Sequence, residues 1–520
     1  IAVLSLNLNS EVFEEVVVLE KKTTSLDGWS QNLSISTINS EDLKKLDAQH
    51  PKQIFRRTPG VWISRGSGQE HLTSMRSPVL TGPGACGSFL LMEDGLPVRP
   101  SGFCNVNGLF ETSYELSQGI ESITGPASAR YGANAMHGVI NILSTGVKSE
   151  NKFSTNVGPN NYKNLKLSIG DLQNWKLNTL LVSNDGFRDM SGYDLQKINM
   201  KSIFRIIEWD ASFKFNLTNL NQETAGYING LDAYKDSNLN EKNGNPEAYR
   251  DASSYRLSLK LLKKNSNGIT SLTPYIRKNK MEFLQHYLPG TPAEKNSHKS
   301  SGLIFQRIIN RGEITRVSGF QIERAMMELQ ETQKNALTNS SAFNNATRPQ
   351  GKHYDYEAES KVFAVFTGIE EVEISNNLLG FADIRAESIH YSYDNKMLTG
   401  NTRDDGSVCG FGGCYYNRPA DRSDKHQEMS ARLGLETNNE GVNYFASYAP
   451  VAGSTTIKTQ IAHGLMNKHV MESWDYSSAY LNGILQETIY ITLPGIPAEY
   501  GIVIPPGCRL LLIKSIYGLV

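Results

Sequence analysis

The residues of this sequence with the clearest capacity for covalent chemistry are its five cysteines. Cys86 and Cys104 form one local pair, Cys409 and Cys414 form a second, and Cys508 stands alone. Both pairs lie in glycine-rich, loop-like stretches, and thiols placed in this way form disulfides in an oxidising compartment such as a periplasm or the cell exterior. We therefore predict the disulfides Cys86–Cys104 and Cys409–Cys414. Free, buried thiols are the alternative.

Length and charge narrow the class of protein. The 520 residues carry 52 Lys and Arg against 53 Asp and Glu, so nothing in the net charge of −1 suggests a polyanion-binding protein. The length suits several ordinary domains, or one small domain with a large barrel. No run of about 18 apolar residues occurs, which excludes a predicted transmembrane helix. The polar mean hydropathy of −0.39 is compatible with barrel strands, which face lipid only at alternate positions.

The stretch from Ile120 to Gly146 indicates two strands joined by a tight turn. A β-branched run ends at Gly125 and Pro126, small residues follow, and a second apolar run begins at Val139. Glycine supplies backbone conformations closed to other residues, and proline fixes one turn dihedral. On composition alone, this is the core of a small α/β domain.

The same stretch resembles the end of the plug domain of TonB-dependent outer-membrane receptors. The residues that match the family pattern are Glu121, Gly125, Pro126, Ser128, Tyr131, Gly132, Ala135, Gly138, Ile140 and Ile142. The family usually has Arg before Gly-Pro, where this chain has Thr124. Because that Arg helps to fasten plug to barrel in the family, the resemblance implies a weaker fastening here.

Upstream motifs extend the resemblance. Ser40 is predicted to cap a short helix, as in the family's plug. Arg76 stands where the family has Ile-Arg-Gly, and Asp94-Gly95 ends a buried strand as the family's Asp-Gly turn does. We therefore assign residues 21–147 to a plug domain, called the plug region below.

Loops of the plug region carry the candidate ligand contacts. In the family such loops point outward at the ligand, and functional residues concentrate on loops that a rigid scaffold carries. The resemblance makes Arg99, Phe103 and Asn105 candidate contacts, with solvated turn residues as the alternative. A siderophore, cobalamin or another solute would leave the same plug.

Residues 1–20 contain an acidic and then β-branched segment. Its central residues are Glu14, Glu15, Val16, Val17 and Val18. This segment is similar to the TonB box, which a periplasmic energy-coupling protein captures by strand addition. β-Branched residues favour the extended conformation that capture needs, and an ordinary edge strand is the alternative. The opening IAVLSLNLNS indicates the tail of a signal peptide or a broken end, and we expect a fragment.

Residues 148–448 alternate apolar and polar side chains, which predicts strands with one apolar face. Three such apolar series are Leu165, Leu167 and Ile169; Trp209, Ala211, Phe213, Phe215 and Leu217; and Met429, Ala431, Leu433 and Leu435. A soluble sandwich is the alternative. Long polar loops and aromatics expected at strand ends favour a membrane barrel; those aromatics are Trp175, Trp209, Tyr255 and Tyr391. On the order of 14 strands fit this stretch, whereas the family closes at about 22, so we expect a truncated barrel.

Residues 449–520 break the alternation. Apolar residues at helical spacing predict a helix at about 455–468. The segments WDYSSAYLNG, ETIYITLPG and KSIYGLV are then similar to copia-type retrotransposon reverse transcriptase. The resemblance implies that Asp475 is a catalytic Mg²⁺ ligand and that Tyr480 packs on the nucleotide sugar. Two-metal transfer needs further carboxylates; Asp475 is the last Asp in the chain, so we expect an inactive fragment.

The sequence therefore predicts a mainly β chimera. A small α/β plug domain is followed by a truncated antiparallel transmembrane β-barrel and a short α/β polymerase-palm fragment. The predicted function is energy-coupled uptake of a siderophore or cobalamin across the outer membrane, without enzymatic activity. An RNA-directed DNA polymerase fragment is the alternative, and a binding-only adhesin is a weaker third. The implied partners are a TonB-type periplasmic protein, outer-membrane lipid and a metal chelate, with nucleic acid only through the C-terminal segment; no cofactor is expected besides its Mg²⁺.

Overall fold

The computed structural model describes residues 34–77, 86, 88–266, 268–311, 314–375, 378–437, 484–491 and 510–514. The plug region contains β1 (Ser34–Asn39), α1 (Ser40–Leu46), α2 (Pro51–Phe55), β2 (Val61–Arg65), β3 (His71–Met75), β4 (Leu90–Glu93), β5 (Leu96–Pro97), β6 (Ser117–Thr124), α3 (Ser128–Tyr131) and β7 (Gly138–Ser144). Five of these strands form one sheet in the order β1-β6-β7-β4-β5, and β2 pairs with β3. The two strands predicted on either side of the Gly-Pro turn are β6 and β7.

The core of the plug region packs against the middle of this sheet. All residues of β7 are buried, which explains its continuous apolar run. Phe55, Met75, Leu91, Ile120 and Ile142 belong to one buried cluster. The cluster joins α2, β3 and the three central strands, so the plug region has a hydrophobic core of its own.

The cap of α1 differs from the prediction. Asn39, rather than Ser40, supplies the capping oxygen: its Oδ1 accepts the backbone N–H groups of Glu41 at 3.0 Å and Asp42 at 2.9 Å. Asn39 is the last residue of β1 and keeps an extended backbone, with φ −84° and ψ 171°. An extended residue directs its side chain back onto the first helical turn, whereas Ser40 is already helical.

A second, larger sheet contains twelve strands that follow one another in chain order. They are β8 (Lys152–Gly158), β9 (Tyr162–Gly170), β10 (Trp175–Asn184), β11 (Tyr193–Ile206), β12 (Trp209–Gln222), β13 (Arg250–Asn265), β14 (Gly268–Leu284), β15 (Ala293–Arg311), β16 (Ile314–Gln333), β17 (Gly351–Ser375), β18 (Leu378–Asn395) and β19 (Arg422–Thr437). The strands are longer than the 10 or so residues assumed for the prediction, so the described residues between 152 and 437 hold twelve strands.

From β10 onwards, the connections of the large sheet alternate in length. Tight turns join β11 to β12, β13 to β14 and β15 to β16, whereas long loops precede β13, β17 and β19. The loop before β17 contains α4 (Ala342–Thr347). Because neighbouring strands are antiparallel, the long loops all lie at one end of the sheet and the tight turns at the other. We call these the loop end and the turn end.

The large sheet has its polar face buried and its apolar face exposed. In β16, Glu323 is 2% exposed, whereas its neighbours Ile322 and Met326 on the other face are 46% and 51% exposed. In β17, Ser360 is fully buried and Phe363 is 51% exposed. This arrangement is the reverse of a sheet that packs its apolar face in a soluble core.

Two of the aromatic residues predicted at strand ends occupy those positions. Trp175 begins β10 and Trp209 begins β12, whereas Tyr255 and Tyr391 lie within β13 and β18. Tyr255 and Tyr391 were wrongly placed at strand ends because β13 and β18 extend beyond the residues whose alternation predicted these strands. None of the described helices is long and apolar enough to cross a membrane.

The C-terminal segment contributes two described strands. β20 (Ile484–Ile491) and β21 (Leu510–Lys514) pair antiparallel. The helix predicted at about 455–468, together with Asp475 and Tyr480, lies outside the described residues. The polymerase-palm fragment therefore stays a prediction from the sequence.

Candidate functional site between the plug region and the large sheet

The helix α3, which directly follows the Gly-Pro turn, lies against β18. Gly125 has φ +118°, and Gly132, directly after α3, has φ +81°. A Cβ atom on Gly132 would lie 2.6 Å from Nη2 of Arg385 in β18. The positive φ favours glycine at position 132, and the end of the Arg385 side chain would have to move to admit a Cβ atom. Pro126 is exposed beside this turn, and Tyr131 packs partly buried against the cluster of Leu90, Met92, Ile123 and Val139.

Arg130, which the sequence reasoning missed, ties this turn to the sheet. Its guanidinium forms an ion pair with Asp383 of β18, and both side chains are almost fully buried. Asp383 is shared with Arg432 of β19, whose Nη2 lies 2.8 Å from Oδ2. A buried pair of this kind is costly to break from one side. The chain thus has an arginine–carboxylate ion pair between the plug region and the sheet a few residues after Thr124, the position where the family usually has Arg. That the plug is held less firmly because of Thr124 stays a prediction.

The predicted Asp94-Gly95 turn is present and faces the sheet. Both residues have positive φ, +51° and +80°, as two-residue hairpin turns require. Asp94 accepts the backbone N–H of Ser144 at 3.0 Å, and its Oδ2 lies 2.8 Å from Nζ of Lys214 in β12. Burial tends to raise the pKa of Asp94, but the charge of Lys214 and the hydrogen bonds from Lys214 and Ser144 outweigh it and lower that pKa. Asp94 is therefore charged.

Arg76 serves a turn within the plug region. Its backbone has φ +49° and its N–H donates to the carbonyl oxygen of Gly60 at 2.9 Å. Its side chain is exposed. The structure thus gives this motif residue a local backbone role.

The candidate ligand contacts differ sharply in exposure. Arg99 and Asn105 are both 2% exposed, whereas Phe103 is half-buried. The Arg99 guanidinium pairs with Glu111 and donates to the carbonyl oxygen of Cys104 and, at 3.1 Å, to Oδ1 of Asn107. These contacts favour a structural role for Arg99. The amide of Asn105 donates to the carbonyl oxygen of Phe89 at 3.0 Å, which does the same for Asn105.

Phe103 contacts the sheet. Its ring meets the ring of His298 in β15 edge to face, with centroids 4.9 Å apart. The backbone N–H of the nearby Ser101 donates to Oε1 of Glu323 in β16 at 3.3 Å. Phe103 therefore lies where the plug region meets β15 and β16, and its assignment as a ligand contact stays a prediction.

Acidic residues of the plug region pair with basic residues on neighbouring strands of the sheet. Glu115 pairs with Lys197 of β11 at 2.7 Å, Asp94 with Lys214 of β12, and Glu93 with Arg256 of β13. Glu70 pairs with Arg250 of β13 at 3.0 Å, and Asp47 with Lys166 of β9 at 2.5 Å. In each of these five pairs the carboxylate comes from the plug region and the cation from the sheet. The sequence carried no local signal for them, since the partners are far apart along the chain.

Glu93 is the most buried of the carboxylates that face β13. Burial raises its pKa, and the neighbouring Arg256 opposes this rise. Arg256 also donates through Nη1 to the carbonyl oxygen of Glu111 at 2.9 Å. This side chain thus connects two segments of the plug region to one strand.

Two buried histidines join backbone segments of the plug region to one another, and one of them contacts the backbone of Glu70. His50 caps α2: its Nδ1 accepts the N–H of Lys52 at 3.1 Å, while Nε2 contacts the carbonyl oxygen of Glu70 at 3.1 Å. His71 contacts the carbonyl oxygen of Gln69 at 2.9 Å and accepts the N–H of Leu109 at 3.1 Å. Burial lowers the pKa of His50 to about 4 and that of His71 to about 3. Both rings are therefore neutral near pH 7.

The structure joins both predicted cysteine pairs. The Cα atoms of Cys86 and Cys104 are 4.5 Å apart, and those of Cys409 and Cys414 are 4.9 Å apart. Both distances lie in the range that a disulfide spans without backbone movement. At the loop end, the second bridge closes the loop that presents Phe411, which is 71% exposed.

Arg418 organises the same loop at the loop end. Its side chain is 1% exposed and donates to the carbonyl oxygens of Leu398 and Thr402, each at 2.7 Å, and of His353 at 3.2 Å. A buried guanidinium with several carbonyl partners fixes the loop backbone. The loop before β19 thus has a defined backbone, fixed by Arg418 and the second disulfide, that positions its exposed side chains.

The described residues contain no group of three or more His, Cys, Asp or Glu side chains arranged to hold a metal ion. Glu14, Glu15, Val16, Val17 and Val18, the predicted partner-binding segment, lie outside the described residues. That segment and the Mg²⁺ role of Asp475 stay predictions.

Comparison with known proteins first identifies the plug region. Residues 29–139 match the sequence model of the family TonB-dependent Receptor Plug Domain. This range lies within the assigned residues 21–147 and includes the Gly-Pro turn, Arg76 and Asp94.

Solved structures then identify the fold of the larger part of the chain. The chain is similar to the ferric citrate transporter FecA in its unliganded form, with a TM-score of 0.59, 14% identity and coverage of 78% of this chain and 60% of that one. It is similar to the ferric yersiniabactin uptake receptor FyuA from Yersinia pestis, with a TM-score of 0.56, 14% identity and coverage of 78% and 61%. For the copper transporter OprC the values are 0.57, 11%, 79% and 61%.

These similarities establish the fold: a plug region with a large sheet like the barrel of a TonB-dependent receptor. The chain spans about 60% of the length of the structures that it matches. Activity, solute and partners are therefore taken up as proposals.

Proposed function

We propose that this protein is an outer-membrane receptor that binds a scarce solute and imports it with energy supplied by a TonB-type periplasmic protein. The solute is a siderophore, another metal chelate or cobalamin. The role is binding and transport rather than catalysis. The plug match and the receptor-like fold support this proposal.

The observation that carries the proposal is the inverted sheet. Its polar face packs on the plug region through buried ion pairs, and its apolar face is exposed. Apolar side chains on an exposed sheet face are stable in lipid and a hazard in water. On the other face, basic side chains such as Lys197 and Arg256 pair with carboxylates of the plug region. A large sheet of this kind belongs in a membrane, with the polar face that contacts the plug region turned away from the lipid.

Uptake in cells tests the proposal. Cells that lack their own receptors would express the chain and be given radiolabelled ferric citrate, ferric enterobactin, ferrioxamine B or cyanocobalamin, with and without a functional TonB. We expect at least one solute to accumulate only in cells with TonB. Binding without TonB-dependent accumulation would favour the adhesin, and neither binding nor accumulation would refute the receptor.

The resemblance of residues 449–520 to reverse transcriptase supports a second, smaller proposal. A fragment with Asp475 as its only aspartate holds Mg²⁺ weakly, because that ion keeps its waters unless several oxygens converge. We therefore expect no primer extension on an RNA template with Mg²⁺ or Mn²⁺. Extension that disappears in Asp475→Ala would show that the segment is an active polymerase.

A further inference from the structure

We propose that the solute is an anion and that it passes along strands β11, β12 and β13. The inference rests on the proposed function and narrows it to one class of solute. The residues that carry it form a cationic wall on the inner face of these three strands. The wall consists of Lys197 and Lys201 in β11, Lys214 in β12, and Arg250, Arg256 and Lys260 in β13.

The strand register brings the cationic wall together. Lys201 lies directly opposite Lys214 across the β11–β12 pair. Lys214 lies opposite Ser258, and Lys260 opposite Ser212, across the β12–β13 pair. Directly opposite side chains have Cβ atoms about 5 Å apart. The side chains of Lys201, Lys214 and Lys260 are therefore grouped at the part of the wall nearer the turn end.

The cationic wall extends along most of the sheet. Arg250 starts β13 at the loop end, and Lys260 lies near the turn end of the same strand. At about 3.3 Å per residue the two side chains are separated by roughly 33 Å. A solute that crosses from the loop end to the turn end beside β13 would meet a cation over most of that distance.

Carboxylates of the plug region already occupy the cationic wall. Glu70, Glu93, Asp94 and Glu115 neutralise four of its six members in ion pairs that are largely shielded from water; these four are Arg250, Arg256, Lys214 and Lys197. Buried cations are costly without a counter-charge. When the plug region moves away, an anionic solute can replace the carboxylates that leave, whereas a cationic one cannot. An anion therefore favours the open arrangement by binding it preferentially.

The strands farther along the sheet, up to β18, would not bind a cation in the same way when the plug region moves. Glu323 of β16 pairs with Arg277 of β14 at 2.6 Å, and Glu387 pairs with Arg385 within β18 at 2.5 Å. Both carboxylates keep their counter-charges in the sheet when the plug region moves. Asp383 likewise keeps Arg432 when Arg130 leaves. The charge uncovered by movement of the plug region is therefore mainly positive.

Lys260 is the member of the cationic wall suited to a test. Within the described residues it forms no ion pair with the plug region, so its replacement should leave the plug region seated. Lys280 of β14 is a matched control because it is exposed on the outer face. Lys260→Arg keeps the charge and serves as a second control.

TonB-dependent uptake of ferric citrate and ferric enterobactin, both anionic, would be compared with uptake of cationic ferrioxamine B and neutral cyanocobalamin. We expect uptake of an anionic chelate, a fall of roughly threefold to tenfold in Lys260→Gln, and normal uptake in Lys260→Arg and Lys280→Gln at equal receptor levels. Preference for ferrioxamine B or cyanocobalamin, or an equal effect of Lys260→Gln and Lys280→Gln, would overturn the inference and leave the receptor function standing. If no solute accumulates in a TonB-dependent way, the receptor function fails and the inference fails with it.

Discussion

Lys197 of β11 and Glu115 of the plug region form an ion pair that water hardly reaches. Nζ and Oε2 are 2.7 Å apart, and the side chains are 0% and 5% exposed. Lys197 also donates to the carbonyl oxygen of Thr112 at 2.7 Å and lies 4.6 Å from the ring centroid of Tyr114. One side chain thus connects the large sheet to three residues of the plug region.

Removing one partner of this pair should loosen the plug region. Glu115→Gln leaves the Lys197 charge buried without a counter-charge, which costs about 3–5 kcal/mol. The double variant Glu115→Leu, Lys197→Met removes both charges and should cost less. The stability of both variants can be measured by urea unfolding in detergent, with proteolytic cleavage of the plug region as the readout. Equal destabilisation by the single and double variants would contradict this view of the pair.

Local patterns predicted the strands but not the contacts between them. The alternation in Trp209 to Leu217 is a property of one strand, and it correctly placed β12. The Lys197–Glu115 and Arg130–Asp383 pairs join residues distant in sequence, and neither residue type nor spacing records such a partner. The Gly-Pro motif was recognisable because its turn demands particular residues.

The candidate site illustrates the same limit. Arg99 was predicted as a ligand contact because it lies in a glycine- and proline-rich loop of the kind that points at the ligand in the family it resembles. Its guanidinium is enclosed by the plug region and paired with Glu111, which favours a structural role, and the ligand contact stays a prediction. Loop composition cannot reveal whether a loop side chain turns outward or inward, since that depends on a buried partner elsewhere.

The plug region should lose stability in mild acid. Folding lowers the pKa of His50 to about 4 and of His71 to about 3 through burial, so the folded state binds fewer protons than the unfolded state below about pH 6.5. The stability contributed by neutral histidine is therefore present above about pH 6.5 and is lost as the pH falls towards 4. We expect a loss on the order of a few kcal/mol, measured by hydrogen exchange of β6 at pH 7 and pH 4.5.

His50→Asn provides the matched variant for this pH dependence. Asn keeps an acceptor at the N-cap of α2 but does not titrate in this range. The variant should start from a lower stability and lose less of it on acidification. The same loss in both proteins would show that His50 does not cause the pH dependence.

The two disulfides should be detectable in protein secreted under oxidising conditions. Peptide mapping without reduction is expected to recover Cys86 linked to Cys104 and Cys409 linked to Cys414. Closing the longer loop contributes roughly 3 kcal/mol by the chain-entropy argument, and the shorter loop less, so Cys104→Ser should lower the melting temperature more than Cys414→Ser. Cys508→Ser is the control, and recovery of free thiols at all four positions would refute the pairing.

The segment from Glu14 to Val18 should bind the energy-coupling partner. Val17→Pro removes a backbone donor that strand addition needs, so we expect TonB-dependent uptake to stop while solute binding at the cell surface persists. Val17→Ala keeps the donor and should transport nearly normally. Normal uptake by the proline variant would remove the segment from the mechanism.

A spin label can show directly whether the exposed apolar face of the large sheet lies in lipid. A nitroxide label placed by Val365→Cys, on that face of β17 and 44% exposed, tests it in a Cys508→Ser background reconstituted in bilayers. Asp405→Cys, in the exposed loop before β19, is the control. If this face lies in lipid, collisions with oxygen should exceed those with a water-soluble nickel complex at position 365, and the reverse should hold at position 405. A label at 365 that is as accessible to the nickel complex as the one at 405 would contradict it.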